Sequence, residues 1–251
     1  MLDAVRKETF GVDIGQNSWL TVEEYMRLLP WLDLSADDHV LEIASGSGGP
    51  ALFAAHASGC RITGIDANES AVAVASQAAA AAGASERARF RVADANSALP
   101  FDDESFDALL CIDAMNHFPQ RLAVFREWRR VLRAGRRALF TDPVVITGPV
   151  TNDELARRSS IGLFLFVPPG VNERLIEQAG LRLVRQEDVT ENATLISGRW
   201  RRARQAHEKD LRRIEGGERF EGLQLFFESV HRLTSEKRLS RMAYVVERPA
   251  A

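Results

Sequence analysis

A chain of 251 residues with 45% hydrophobic content is long enough to bury one α/β core with a modest lid. Its formal charge of −3 gives no bulk attraction to nucleic acid or to an anionic membrane. No apolar stretch reaches about 18 residues, Met1–Phe10 carries no signal-peptide pattern, and Cys60 and Cys111 are too few for a zinc site, so a soluble protein of the reducing cytoplasm is expected.

In chain order, the first predicted feature is a loop, Gly15-Gln-Asn-Ser-Trp-Leu-Thr21, followed by a helix over Val22–Leu29. An apolar run from Val40 ends in the carboxylate Glu42, and the loop Ala-Ser-Gly-Ser-Gly-Gly-Pro50 opens into an apolar helix from Ala51. Small residues there let backbone approach a ligand closely. About twenty residues on, Arg61-Ile-Thr-Gly-Ile65 ends in Asp66, placed to accept hydrogen bonds from a ribose diol. The Ala-rich stretch Ser70–Ala82 begins after Asn68, a good N-cap, and stops at Gly83, so it reads as a plain helix. Arg89–Ala93 reads as a third strand into Asp94, suited to an exocyclic adenine amine, and Phe106–Ile112 as a fourth into Asp113. A helix over Ala123–Leu132, closed by Arg133-Ala134-Gly135, leads to a fifth strand, Ala138–Thr141, into Asp142. Acidic residues at successive strand tips suit a ligand cleft at the carboxyl edge of a parallel sheet.

Two cofactors compete for the loop. Gly46-Ser47-Gly48-Gly49-Pro50-Ala51 fits the permissive G-x-G-x-x-A dinucleotide pattern. A pyrophosphate, however, wants the positive end of a helix without a fixed anion beside it, and Glu42 lies four residues before Gly46. A cationic sulfonium with an amino-acid tail tolerates that carboxylate, so S-adenosylmethionine fits better than NAD. A glycine-rich turn with no ligand is the bland alternative.

From about Gly11 to Val145, with five motifs in order, the chain resembles the class I S-adenosylmethionine-dependent methyltransferases, and within them the small-molecule enzymes of phosphoethanolamine, sarcosine and ubiquinone-biosynthesis type. The resemblance implies an α/β fold: a Rossmann-like seven-stranded sheet, mostly parallel with an antiparallel last strand, helices on both faces and an α-helical lid. It assigns Glu42, Ala44, Gly46 and Gly48 to the methionine part of the cofactor and Asp66, with Ala67 and Asn68, to the ribose. Asp94 and the Ala95 backbone take the adenine, Ile112 and Asp113 complete the set, and Trp19 and Thr21 close over the methionine tail. Two departures stand out: Ala44 replaces a family glycine, which is tolerable only with φ below zero, and Arg133-Ala-Gly-Arg136 replaces the usual Lys-Pro-Gly-Gly turn. The expected organisation is one domain over 1–251, with a cap at 1–30, a cofactor core at 31–145, a lid insertion at 146–180 and C-terminal strands and helices at 181–251.

The lid contains the apolar run Ile161–Val167, whose Phe164 and Phe166 would line an acceptor pocket beside Asn116 or would merely pack the lid on the body. Arg157 and Arg158 precede that run, and no cationic cluster is expected within it. A helix over Asn172–Ala179, a sixth strand from Leu181, two helices between Ala193 and Glu236 broken at Gly216-Gly217, and a last strand over Ser240–Val246 follow. Arg199, Arg201, Arg202 and Arg204 make a basic cluster, but Glu208, Asp210 and Glu215 follow within the same predicted helix, which favours a solvated, salt-bridged face over a nucleic-acid groove.

Chemistry is expected after the fourth strand, in Asp113-Ala-Met-Asn-His117. In the phosphoethanolamine-type relatives a histidine four residues after the equivalent aspartate assists deprotonation, which makes His117 the candidate general base. Asp113 and Asp142 stand where catechol-type enzymes hold Mg²⁺, but Pro143 replaces a needed ligand, so no metal is expected. The expected reaction is SN2 methyl transfer to an oxygen or nitrogen of an apolar small molecule, leaving S-adenosylhomocysteine. The competing readings are a metal-dependent catechol-type enzyme, an NAD-linked oxidoreductase and a non-catalytic methyltransferase-like subunit. Expected partners are a small-molecule acceptor, with no nucleic acid and no membrane span; the sequence specifies no oligomeric state.

Overall fold

The computed structural model describes residues 1–250. Its centre is a seven-stranded sheet in the order β3-β2-β1-β4-β5-β7-β6. The strands are β1 His39–Ile43, β2 Arg61–Asp66, β3 Ala88–Val92, β4 Phe106–Cys111, β5 Leu132–Ile146, β6 Arg182–Asp188 and β7 Leu239–Glu247. β1 to β5 pair in parallel, while β7 runs antiparallel to both β5 and β6.

Parallel neighbours need crossovers, and α3 Gly49–Ser58, α4 Glu69–Ala81 and α5 Arg121–Val131 supply them. β1 and β4 are therefore covered on both faces, which is why they read as near-continuous apolar runs. Successive side chains split between two cores. Leu41, Ile43, Leu109 and Cys111 join Phe125, Trp128 and Phe140 on one face, and Val40, Ala108 and Leu110 join Ala54, Ile62 and Leu139 on the other. Cys60, placed on a strand by the sequence, lies one residue before β2; both cysteines are buried thiols.

Three expectations need correcting. Arg133–Arg136 is not a turn before β5 but a bulge inside it: Phe106 pairs with Leu132, and Ala108 next pairs with Arg137. Asp107 and Asp38 hold the arginines of that bulge. β5 also continues past Asp142 to Ile146, and Pro143, which has no N–H to give, falls where the register with β7 shifts.

The C-terminal segment forms three helices rather than two: α8 Thr190–Ala206, α9 Glu208–Glu215 and α10 Gly217–Ser235. The extra break at His207 carries no glycine or proline, so propensity gave no sign of it. It turns α9 so that Leu211 reaches Val5, Ala203 and Phe220 in a small separate core. Of the basic cluster, Arg204 is buried against Glu215 and Phe220, and Arg201 lies 3.8 Å from Glu228.

The remaining helices are α1 Leu2–Phe10, α2 Val22–Leu28, α6 Asn152–Arg158 and α7 Val171–Gln178. A capping box of Thr151 and Glu154 starts α6. After α6 the lid chain runs extended past the loop that follows β4 and along the end of β5, where Leu165 N–H donates to Asn116 O at 2.9 Å and Ile146 N–H to Val167 O at 2.8 Å. Among the described residues no helix is long and apolar enough to cross a membrane.

Candidate active site

The strand order reverses direction between β1 and β4, so their carboxyl ends splay the following loops apart and open a crevice. On the β1 side, Ser45 N–H donates to Ile65 O at 2.9 Å and Gly46 N–H to Asp66 Oδ2 at 2.8 Å. Asp66 Oδ1 accepts from Asn68 N–H at 2.9 Å. Asp66 thus fixes the loop as well as standing where a ribose would lie. Asn68 caps α4, Ala67 is exposed beside it, Asp94 is exposed and accepts from Asn96 N–H, and Ala95 and Ile112 are buried.

Ala44 corrects an expectation. Its φ is 55°, in the left-handed region, so the alanine holds the conformation for which glycine is better suited, at about 1–2 kcal/mol. Gly49 is needed for another reason: a Cβ there would fall 1.8 Å from Ile14 O. The N-terminal segment therefore rests directly on the loop, and Ser47 Oγ–H donates to Gly15 O at 3.1 Å.

Glu42 is buried and its Oε2 has no partner. Burial pushes its pKa up to about 8; the Ala51 backbone N–H opposes the shift and Asp66 adds to it. The fixed anion expected from the sequence is thus largely protonated at neutral pH. What remains is a carboxyl with one buried oxygen unpartnered, which a cationic ammonium or sulfonium beside it would favour in its ionised form.

On the β4 side, Asp113 has φ 53° and a buried side chain gripped from three directions. Its Oδ2 accepts from Trp19 N–H at 2.8 Å, and its Oδ1 accepts from Thr141 Oγ1–H and Arg241 Nε–H, each at 2.7 Å. Arg241 Nη1 also donates to both oxygens of Glu24, at 2.8 and 2.7 Å. Burial opposes the charge on Arg241, but Asp113 and Glu24 hold its pKa above the usual range, while burial raises that of Glu24 against the pull of Arg241. Asn192 on α8 closes the network, donating to Trp19 O at 2.6 Å and Glu24 Oε2 at 3.0 Å. Thr21, expected over the cofactor, instead caps α2 by accepting from Glu24 N–H.

Beyond Asp113 lies a cavity of about 360 Å³, walled by Phe10, Trp19, Phe164, Trp200, Phe226 and Phe227. Trp19 stacks on Phe226 with ring centroids 6.3 Å apart. His117 stands at its edge, with Nδ1 2.7 Å from Leu163 O and Nε2 3.1 Å from Asn116 Nδ2. A carbonyl only accepts, so Nδ1 carries the proton and Nε2 the lone pair. Phe164 lies 5.1 Å from the His117 ring, while Phe166, expected in the same pocket, packs with Val144, Leu233 and Leu239 outside the lining. Arg158, which precedes the lid's apolar run, is buried in the cavity wall.

Sequence reasoning missed Arg241, Glu24, Asn192, Phe226 and Arg158 as site residues. Only Arg241 left a local sign, as a charge inside the otherwise apolar strand Leu239–Val246. The two carboxylates considered for a metal are both taken by arginines: Asp113 by Arg241, and the fully buried Asp142 by Arg121 and by Asn172 Nδ2–H at 2.9 Å.

Residues 40–135 match the family model described as a methyltransferase domain. The chain is 33% identical to the 27-O-demethylrifamycin SV methyltransferase of Amycolatopsis mediterranei, over 66% of this chain and 61% of that protein. It spans about three fifths of the length of the curated relatives it matches. Its fold superposes on a putative sarcosine dimethylglycine methyltransferase from Galdieria sulphuraria with a TM-score of 0.82, at 18% identity and covering 91% of this chain and 84% of that one. It also superposes on the [4+2]-cyclase SpnF with a TM-score of 0.77, at 22% identity, covering 97% and 86%. Fold likeness at such identities does not choose between methyl transfer and cyclisation. The methyltransferase-domain match over residues 40–135, the methyltransferase relatives and the fold together support a class I S-adenosylmethionine-dependent methyltransferase.

Proposed function

We propose that this chain transfers the sulfonium methyl of S-adenosylmethionine to an oxygen or nitrogen of an apolar, ring-bearing small molecule. The observation that carries the reading is the placement of the aromatic cavity: it opens at Asp113 and His117, beyond β4, across the crevice from the glycine loop. A sulfonium supplies an already activated methyl group, so the protein's work is alignment, exclusion of water and removal of a proton. Glu42, the loop backbone, Asp66 and Asp94 would hold the cofactor, and the Trp19 segment would cover its amino-acid end. The aromatic wall would hold the acceptor, and its volume suits a small ligand. His117 Nε2 would take the acceptor proton, exchanging its contact with Asn116 for one with the hydroxyl or amine. The rifamycin relative, named for an O-methylation, supports an oxygen acceptor.

Calorimetry with S-adenosylhomocysteine and with NAD tests the cofactor, and methyl transfer from labelled S-adenosylmethionine across phenols, hydroxylated polyketides and amines tests the reaction. Micromolar binding of S-adenosylhomocysteine and labelled product from a phenol or hydroxylated polyketide are expected. Tighter binding of NAD would overturn the reading.

A further inference from the structure

Arg158 is the one charged group of the cavity wall that nothing in the described structure balances. It ends α6 with 1% of its surface exposed, and its Nε and Nη1 are buried without a hydrogen-bond partner. The other cation on the wall, Arg6, is bonded to Asp13 at 2.7 Å, and the carboxylate there, Asp113, is engaged by Arg241. Three aromatic rings surround the Arg158 guanidinium, with centroids 4.5 Å (Phe164), 5.2 Å (Phe226) and 5.8 Å (Trp19) away. Those ring faces hold a cation in place but accept no conventional hydrogen bond from its free N–H groups. Burial lowers its pKa to about 10 against the pull of Asp113 and Asp142, so it stays charged at neutral pH. A buried guanidinium with unused donors, facing a ligand-sized space, is expensive unless the ligand completes it.

Resting on the methyltransferase reading, we propose that the acceptor carries a carboxylate and that Arg158 binds it. The charged end would lie against the guanidinium while the apolar body packs along Trp19, Phe226 and Phe227. Because Arg158, Phe164 and His117 follow one another across the lid side of the cavity, the same grip would bring a hydroxyl or amine elsewhere on the acceptor toward His117 Nε2. An anion fits this position better than a phenol or alcohol, since a carboxylate adds ionic attraction and can accept two parallel hydrogen bonds from the guanidinium.

The test uses the full chain saturated with S-adenosylhomocysteine and calorimetric titration with 4-hydroxybenzoate, 4-hydroxyphenylacetate and octanoate, each beside its neutral amide. At least one carboxylate is expected to bind about tenfold or more tightly than its amide. Arg158→Met should abolish that preference, Arg158→Lys should keep part of it, and S-adenosylhomocysteine affinity should stay within about twofold in both. Equal binding of every acid and amide by the unmodified protein, or no binding of any acid, overturns the proposal without recourse to a variant. So does a preference that survives Arg158→Met. If Arg158→Met weakens S-adenosylhomocysteine instead, the arginine serves the cofactor carboxylate and the acceptor assignment is wrong. Failure of the unmodified protein to bind S-adenosylhomocysteine at all is a separate result, and it counts against the methyltransferase reading itself.

Discussion

The glycine loop and the aromatic wall face the same crevice, but they are assembled by different means. Contacts that shape the loop are short-range in the chain: Gly46 bonds to Asp66, twenty residues on. Those that shape the wall join its extremes, with Trp19 and Asp113 separated by 94 residues, Arg241 and Asp113 by 128, and Arg241 and Glu24 by 217. The loop is the product of one βαβ unit, whose strand, turn and helix dictate one another. The wall exists only when the cap, the lid, α8, α10 and β7 have all docked. A cofactor site of the first kind can be kept while an acceptor site of the second kind is rebuilt.

The hardest blow to that arrangement is Arg241→Met. It leaves Glu24 and Asp113 as buried carboxylates without their cation, which typically costs about 3–5 kcal/mol. Urea unfolding should show a loss of that order, and adding Glu24→Gln to the variant should recover part of it. A loss below about 1 kcal/mol would mean that the network does not tie the wall together.

His117→Ala strikes the chemistry rather than the scaffold. Removing a positioned base should lower turnover by at least about 10²-fold, ~3 kcal/mol of barrier, once an acceptor is in hand. The ring is exposed and bonded to Leu163 O and Asn116, so stability and S-adenosylhomocysteine affinity should change little. Near-normal turnover would reduce His117 to a clip holding the lid at Leu163.

The same division decides what could be read from the sequence. Glu42, Gly46, Gly48, Asp66 and Asp94 announce themselves because each stands at a fixed offset from an apolar run; those runs give the strands one by one, while the seven-stranded sheet was implied by the family resemblance and its order is seen only in the structure. Trp19 and His117 were reachable because each flanks such a motif. Arg158 was not: two adjacent arginines ending a short helix look like solvated charge, and only the folded lid turns one of them into the cavity. Phe164 and Phe166 could not be told apart for a similar reason. Alternation along an extended chain says that they share a side, not which of two apolar neighbours, the cavity or the Val144–Leu233 cluster, each will meet. The conformation of Ala44 was misjudged because a loop's geometry was inferred from the cost of adopting it, whereas the surrounding backbone bonds impose it.

The finest test falls on the loop side, where Glu42 links proton and ligand. In the unliganded chain its pKa of about 8 lies above its ordinary 4.5, so the folded state retains a proton that the unfolded chain releases. The stability this contributes is complete below about pH 4.5 and is lost as the pH rises through about 8. A ligand bearing an ammonium beside the carboxyl favours the ionised form, so binding S-adenosylhomocysteine should expel close to one proton at pH 7. Its affinity should then rise about fivefold, or ~1 kcal/mol, between pH 7 and pH 8, as the cost of ionising the free site falls. Calorimetry in two buffers of different ionisation enthalpy counts the proton directly. Glu42→Gln should abolish both the proton release and the pH dependence while leaving the Asp66 and loop contacts in place. If the unmodified chain binds without releasing a proton, the carboxyl is either ionised beforehand or not facing the ammonium, and the loop would then be reading its ligand through backbone alone.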